Sequence, residues 1–85
     1  MKQLVEVTEG EGYEKFFGKN ITVFCDTYIY TGKLVGVNST FIKLESPKII
    51  YETGAFTDKQ WKDAQPLPNE LYVNVSHIEA FAEVK

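Results

Sequence analysis

The chain has 85 residues, 44% hydrophobic and 14% aromatic, so its composition excludes a disordered protein and supports one small domain spanning residues 1–85. Nine lysines, no arginine and 12 acidic residues give a formal net charge of −3. This balance excludes non-specific duplex binding, which needs a basic surface, and bidentate guanidinium contacts. No apolar run is long enough to cross a membrane, and the single cysteine suits a reducing compartment. We therefore expect a cytoplasmic protein with no membrane partner.

The sequence offers no pattern typical of catalysis. One histidine, one cysteine and scattered carboxylates give no nucleophile–base triad, no Cys/His metal cluster and no glycine-rich phosphate loop followed by Lys-Ser/Thr. We expect no enzyme, no metal, no cofactor and no small-molecule substrate. Cys25 lies on the apolar face of an alternating segment, which favours a buried structural thiol.

The N-terminal part predicts one short helix. Residues 2–7 fit either a strand or an extended arm, and Thr8 then stands three residues before Glu11, the spacing of a capping box. The helix is expected over residues 9–17 and should end at Gly18. Its aromatic side chains are expected to pack on the body of the domain rather than to bind a ligand; they are Tyr13, Phe16 and Phe17.

Three strands are predicted next. Residues 20–26 alternate apolar and polar side chains, and residues 28–37 form a long second strand in which Gly32 and Gly36 mark bends or a close backbone approach. A turn at residues 38–39 leads to a third strand over residues 41–45. Pro47 should interrupt the pairing before residues 49–51 resume it.

Residues 53–69 do not continue the strand pattern of the preceding segments and are interpreted as an insertion before the fourth strand. Thr57 and Gln60 have capping-box spacing, which predicts two helical turns over residues 57–64. Pro66 and Pro68 should stop any regular structure there. Trp61 either pins the insertion to the body of the domain or contacts a subunit or a ligand.

The last strands are predicted within residues 71–84. Leu71, Val73 and Val75 share one face. Beyond a bulge, bend or short turn at residues 76–77, the apolar side chains are expected on even positions, namely Ile78, Ala80, Ala82 and Val84. The predicted fold class is therefore mainly all-β, with five strongly bent antiparallel strands, a short N-terminal helix and an insertion before the fourth strand.

Two segments carry a resemblance to a known family. The first motif of Sm-like proteins, a family that includes Sm, LSm and bacterial Hfq-type members, is similar to residues 32–42, Gly-Lys-Leu-Val-Gly-Val-Asn-Ser-Thr-Phe-Ile. The start of that family's first strand is similar to residues 18–23, Gly-Lys-Asn-Ile-Thr-Val. Residues 73–78 stand where the second motif is expected, with Asn74 in place of its Arg or Lys. The resemblance implies an Sm-like small barrel.

Assembly and ligand follow from the resemblance as expectations. It implies a homo-oligomeric ring of five to seven subunits, joined through the fourth and fifth strands by Tyr72, Val73, Asn74, Val75, Ile78, Ala80 and Phe81. It also implies binding of single-stranded RNA, or single-stranded DNA, near the pore. The base-contacting candidates are Asn38, Ser39, Thr40, Phe41, Asn74, Ser76 and His77, with Lys33 and Lys43 for phosphate contacts.

Each candidate residue also has a structural interpretation. Asn38 is a turn former, Phe41 fits a core position as well as a stacking platform, and His77 suits a turn without a ligand. A second function class also stays open, an SH3-like small barrel that binds peptides or acts as a structural ring without nucleic acid. The aromatic side chains expected at its surface are Tyr28, Tyr30, Tyr51 and Trp61.

Overall fold

The computed structural model describes residues 12–85 and has a mainly β architecture. Two short 3-10 helices accompany six strands. In chain order the elements are η1 (Gly12–Phe16), β1 (Asn20–Cys25), β2 (Ile29–Val37), β3 (Phe41–Glu52), β4 (Asp63–Pro66), β5 (Leu71–Asn74), η2 (Val75–His77) and β6 (Ile78–Ala82). The predicted fold class, mainly β with antiparallel strands, is confirmed.

The strands form one antiparallel sheet in the order β4-β3-β2-β1-β6, with β5 also paired to β3. The first half of β3 pairs with β5, and its second half pairs with β4. At the other end of the order, β6 pairs with β1. The long strand β3 therefore joins the insertion strand β4 and the strand β5 to the central β1–β2–β3 unit.

A bulge bends β3 where it crosses β2. Thr31 pairs with Lys48 and Lys33 pairs with Glu45, so Ser46 and Pro47 together face the single residue Gly32. Ser46 takes a positive φ of 51° there. Pro47 thus disturbs the ladder as predicted, but β3 continues through it as one strand, because a bulge accommodates a residue that cannot donate a hydrogen bond.

The core lies on the inner face of this bent sheet. Alternation brings the fully buried side chains of β1, β2 and β3 together with one from β5. The core cluster consists of Ile21, Val23, Leu34, Ile42, Leu44 and Val73. Cys25 packs against it half-buried rather than buried, because it lies at the end of β1.

The N-terminal helix differs from the prediction in the part that the structure describes. Residues 12–16 form a 3-10 helix, and the proposed capping box and the arm over residues 2–7 lie outside the described residues. The Tyr13 ring stacks on Phe81 at a centroid distance of 4.0 Å, and Phe16 meets the same ring edge-on at 5.9 Å. Phe17 is 48% exposed and does not share this packing. Gly18 takes a φ of 79° and donates its N–H to the Leu34 carbonyl.

The insertion contains a strand where helical turns were predicted. Residues 57–64 form no helix, and β4 pairs with β3 from Asp63 opposite Glu52 to Pro66 opposite Lys48. Pro66 was expected to end regular structure. It is instead the last residue of a short outer strand, a position where a missing N–H costs least.

The corner before the last strand is the short 3-10 turn η2. This confirms the predicted interruption of the apolar–polar alternation at residues 76–77 by a bulge, bend or short turn. The predicted even-numbered apolar face is wrong at Ala80, while Ile78, Ala82 and Val84 are half-buried. Phe81 packs against the core whereas Ala80 is exposed. The reason is an irregularity in the β1–β6 ladder, where Cys25 pairs with Ile78 but its neighbour Phe24 pairs with Ala80.

Candidate functional site

The turn between β2 and β3 is held by the side chain of Asn38. Its Oδ1 accepts hydrogen bonds from the backbone N–H of Thr40 at 2.7 Å and of Phe41 at 2.9 Å, and its own N–H donates to the Phe41 carbonyl. Asn38 therefore acts as a turn former, one of the two roles considered for it. Ser39 and Thr40 are exposed at the tip.

The corner between β5 and β6 has a similar construction. Asn74 caps η2, since its Oδ1 accepts from the Ser76 backbone N–H at 3.1 Å and from the Ser76 hydroxyl at 2.9 Å. Asn74 and Ser76 thus bind each other, while both remain exposed. The acceptor oxygens of Asn38 and Asn74 are both engaged within the protein.

The two turns lie side by side. Phe41 pairs with Asn74 across the β3–β5 ladder, and the Val75 N–H donates to the Thr40 carbonyl at 2.9 Å. The two groups of candidate residues, 38–41 and 74–77, therefore form one continuous polar rim. We call this surface the paired-turn rim.

Aromatic rings border the paired-turn rim. The half-buried Phe41 meets Tyr72 edge-on, with centroids 5.1 Å apart and ring planes at 86°. Tyr72 is 57% exposed, so its ring, rather than that of Phe41, presents the larger accessible face. Tyr72 was expected only as an interface residue. The alternation of residues 71–73 placed it on the outer face of β5 and was the signal for a stacking role.

Of the two lysines predicted to contact phosphates, only one lies beside the rim. Lys43 Nζ lies 3.3 Å from Glu70 Oε2 and 5.6 Å from the Tyr72 ring centroid, and its hydrogen bond to Glu70 raises the pKa of its ammonium group. Lys43 is thus beside the rim but already paired. Lys33 lies in the middle of β2 between Asn20 and Glu45, five residues before Asn38, and is not part of the rim.

Of the predicted interface residues, not all are at the surface. Val73 is a buried core side chain and Phe81 packs inward, so neither offers its side chain to another subunit. Val75 belongs to η2 rather than to a strand. Tyr72, Asn74 and Ala80 are exposed, and Ile78 is half-buried.

An open groove of about 380 Å³ adjoins the rim and was not predicted. Cys25, Tyr30 and Leu71 belong to the partly buried apolar side chains at its base. Tyr28 and Tyr72 are exposed beside it. His77 also lines the groove, and its Nδ1 lies 3.1 Å from Asp26 Oδ2. Neither alternation nor spacing relates residues 26 and 77, which only the fold brings together.

Burial raises the pKa of three groups close to the core. These are the Cys25 thiol, with further effects of Asp26 and Glu79, and the phenols of Tyr13 and Tyr30. Each is neutral when protonated, so a raised pKa favours the protonated form in the folded chain.

We expect the protein to lose stability as the pH rises above about 8.5, where an unfolded cysteine begins to ionise, and further above about 10 for the tyrosines. The native state then binds more protons than the unfolded state, so the free energy of unfolding falls with pH. Urea midpoints between pH 7.5 and 10.5 measure this. Cys25→Ala should flatten the first part of the fall, and a midpoint that rises over this range would contradict the prediction.

Among residues 12–85, no three His, Cys, Asp or Glu side chains come together as a metal-binding cluster. In the same part of the chain no helix has the length and apolar character that a membrane crossing requires. Comparison with protein-family models, curated proteins and solved structures gives no match to this chain.

Proposed function

We propose that the chain is the subunit of an Sm-like, ring-forming protein that binds single-stranded RNA, or single-stranded DNA, at the paired-turn rim. The observation that carries the proposal is the hydrogen bond from the Val75 N–H to the Thr40 carbonyl. It joins two turns that are 35 residues apart in sequence into one polar surface. Small barrels that bind single strands use such adjacent loops to reach several base edges at once.

The strand order supports a small barrel. Apart from β4, the order is β6-β1-β2-β3-β5, and η2 connects β5 directly to β6. Among the described residues β5 and β6 do not pair, so the sheet is open between them, and the bulge at Ser46–Pro47 gives β3 the kind of bend that a small barrel needs. The insertion strand β4 is an addition to one half of β3.

The sheet edges support assembly. Among the described residues, β5 pairs only with β3 and β6 pairs only with β1, which leaves one edge of each strand with unpaired N–H and C=O groups. Pairing β5 of one subunit with β6 of the next is a head-to-tail contact, which closes into a ring. The ring repeats the rim several times, and this avidity compensates for the negative net charge and the paired state of Lys43.

The chemistry of the rim suits bases better than phosphates. Its exposed polar groups are hydroxyls, amides and one imidazole, which hydrogen-bond to base edges, and Tyr72 beside them offers a face for stacking. Base stacking on an aromatic ring is worth about 1–3 kcal/mol per base. The expected ligand is therefore a strand with unpaired bases.

Tyr72→Glu tests ring and rim together, and Tyr51→Glu is its matched control because both tyrosines are 57% exposed. We expect the parent protein and Tyr51→Glu to form rings by light scattering and to bind U-rich or A-rich oligonucleotides by fluorescence anisotropy at low salt. Tyr72→Glu should be a monomer whose affinity for the oligonucleotide is reduced at least about tenfold. The new carboxylate repels the phosphates of the oligonucleotide, and the stacking surface of the tyrosine ring is lost.

A second variant separates binding from assembly. Thr40 and His77 side chains are exposed on the rim, whereas the turn itself uses the backbone atoms of Thr40. Thr40→Ala/His77→Ala should keep the ring and lose several-fold in affinity for the strand. A monomeric parent protein at micromolar concentration, or a parent that binds no oligonucleotide, would overturn the proposal.

The groove favours a second candidate function, a protein-interaction module of the SH3-like kind. Exposed tyrosines on an apolar base beside the Asp26–His77 pair are a suitable surface for an extended peptide. This candidate predicts peptide binding that Tyr28→Ala weakens, by a protein that forms no complex with single strands. The same anisotropy titration therefore distinguishes the two functions.

A further inference from the structure

A second cavity, on the opposite part of β3 from the rim, is formed with the insertion. Its volume is about 510 Å³, within the range of small-ligand sites. We call it the insertion cavity. It lies where residues 59–64 approach the bulge in β3, and its lining includes Trp61 and four lysines: Lys48, Lys59, Lys62 and Lys85.

The charge of the insertion cavity is opposite to that of the whole chain. Four of the nine lysines line it, and among residues 12–85 the lining includes one carboxylate, that of Asp63. Asp63 accepts a hydrogen bond from the Gln65 side-chain amide at 2.9 Å. The composition, with its net charge of −3, does not predict this local excess of positive charge. The excess attracts anions to the insertion cavity.

Within the described part of the chain, three of these ammonium groups have no carboxylate partner. Lys62 Nζ lies 3.3 Å from Glu52, but Lys48 and Lys59 form no ion pair within the part of the chain that the structure describes. Lys85 Nζ donates to the carbonyl oxygens of Thr53 and Gln60, which position it without neutralising its charge. The lining therefore retains uncompensated positive charge.

Trp61 supplies an aromatic surface within this charged lining. Lys85 Nζ lies 4.5 Å from its ring centroid, and Phe56 meets the ring edge-on at 6.1 Å. Phe56 in turn lies 6.3 Å from Phe24 of β1. Trp61 is thus held against the body of the domain, which supports the anchoring role considered for it, and it remains half-buried rather than enclosed.

We propose that the insertion cavity binds the phosphate group of a nucleotide, either free or as part of a single strand. Lysine ammonium groups neutralise the phosphate, and the Ser46 hydroxyl and Gln60 amide of the lining are hydrogen-bonding partners for the sugar and base. Trp61 borders the base. The site is separate from the paired-turn rim, shares no residue with it and does not depend on ring assembly.

The fluorescence of Trp61 tests this site directly, because it is the only tryptophan of the chain. Titration at low salt with uridine monophosphate and with a uridine hexanucleotide should change the emission in a saturable manner. Lys48→Gln/Lys59→Gln should weaken both ligands about tenfold, since two charged contacts are lost. Lys15→Gln/Lys33→Gln makes the same change in net charge outside the cavity and should leave both affinities unchanged.

The outcomes identify the source of the phosphate. Equal affinity for the two ligands indicates a single nucleotide, and a tighter hexanucleotide indicates a strand; both support the site. Inorganic phosphate that binds as tightly as uridine monophosphate would overturn the nucleotide assignment. Equal affinities for the two double variants, or no change in Trp61 emission, would overturn the site. Tyr72→Glu should keep the change in Trp61 fluorescence on titration. The proposal for the rim and the proposal for the insertion cavity can therefore fail independently.

Discussion

Replacing Leu34 by alanine is expected to lower the free energy of unfolding by about 2–5 kcal/mol. Leu34 is fully buried in the core cluster and pairs with Leu44 across the β2–β3 ladder. Its truncation leaves a cavity between strands whose positions are held by several ladders, so the surrounding side chains collapse only partly. A domain of this size has a total stability of about 5–15 kcal/mol, so the loss is a large fraction of it.

Val35→Ala is the matched control for this prediction. Val35 follows Leu34 on the same strand but is 37% exposed on the opposite face. Its truncation removes little buried area and should cost less than about 1 kcal/mol, mainly from strand propensity. Urea denaturation followed by circular dichroism measures both variants. Similar midpoints for Leu34→Ala and Val35→Ala would contradict the placement of the core on the even-numbered face of β2.

Gly32→Ala is expected to destabilise the fold by about 1–3 kcal/mol through overpacking. A Cβ at this position would lie 3.0 Å from the Leu44 Cβ, 3.1 Å from the Glu45 carbonyl oxygen and 3.3 Å from the Pro47 Cα. Two of these atoms belong to the backbone of β3, which cannot move without opening the bulge. The close backbone approach expected for this glycine is therefore confirmed.

Gly36→Ala, four residues along the same strand, is the comparison for Gly32→Ala. The nearest atom to its added Cβ is the Lys43 Cβ at 3.3 Å, which has to move by a few tenths of an ångström, and the next is Lys43 Cδ at 3.8 Å, an ordinary van der Waals contact. Alanine also restricts the unfolded chain, which offsets the slight crowding. We expect a change within about 1 kcal/mol of zero. Thermal midpoints of the two variants that agree within error would show that the bulge tolerates a side chain.

Gly32 also connects stability to the proposed sites. The bulge opposite it lets the first half of β3 pair with β5, at the rim, while the second half pairs with β4, at the insertion cavity. Gly32 itself lines that cavity. A side chain at this position should therefore disturb the cavity more than the rim.

Local patterns predicted the central part of the fold well. Alternation in β1 and β2, together with Asn38 at the turn, specified the strands and their buried faces, because these features depend on neighbouring residues along the chain. The residues Asp63–Pro66 have neither alternation nor strand-forming side chains. They form β4 through pairing with β3, so a local pattern could not reveal the strand.

The candidate site was only partly predictable for the same reason. Asn38 and Asn74 were recognisable as polar turn residues, but the joining of their two turns by the Val75–Thr40 hydrogen bond depends on the β3–β5 register. The Asp26–His77 pair joins residues 51 positions apart. The lysines of the insertion cavity come from three separate segments, and no spacing in the chain relates them.

Composition and alternation were sufficient for a small, mainly β domain with its core on the inner faces of β1, β2, β3 and β5, because burial and strand periodicity are encoded residue by residue. The place of Tyr72 beside Phe41, the joining of two turns into the paired-turn rim and the gathering of positive charge around Trp61 arose from strand pairing and the bulge opposite Gly32. These depend on contacts between residues distant in sequence. They become visible when the folded chain brings those residues together.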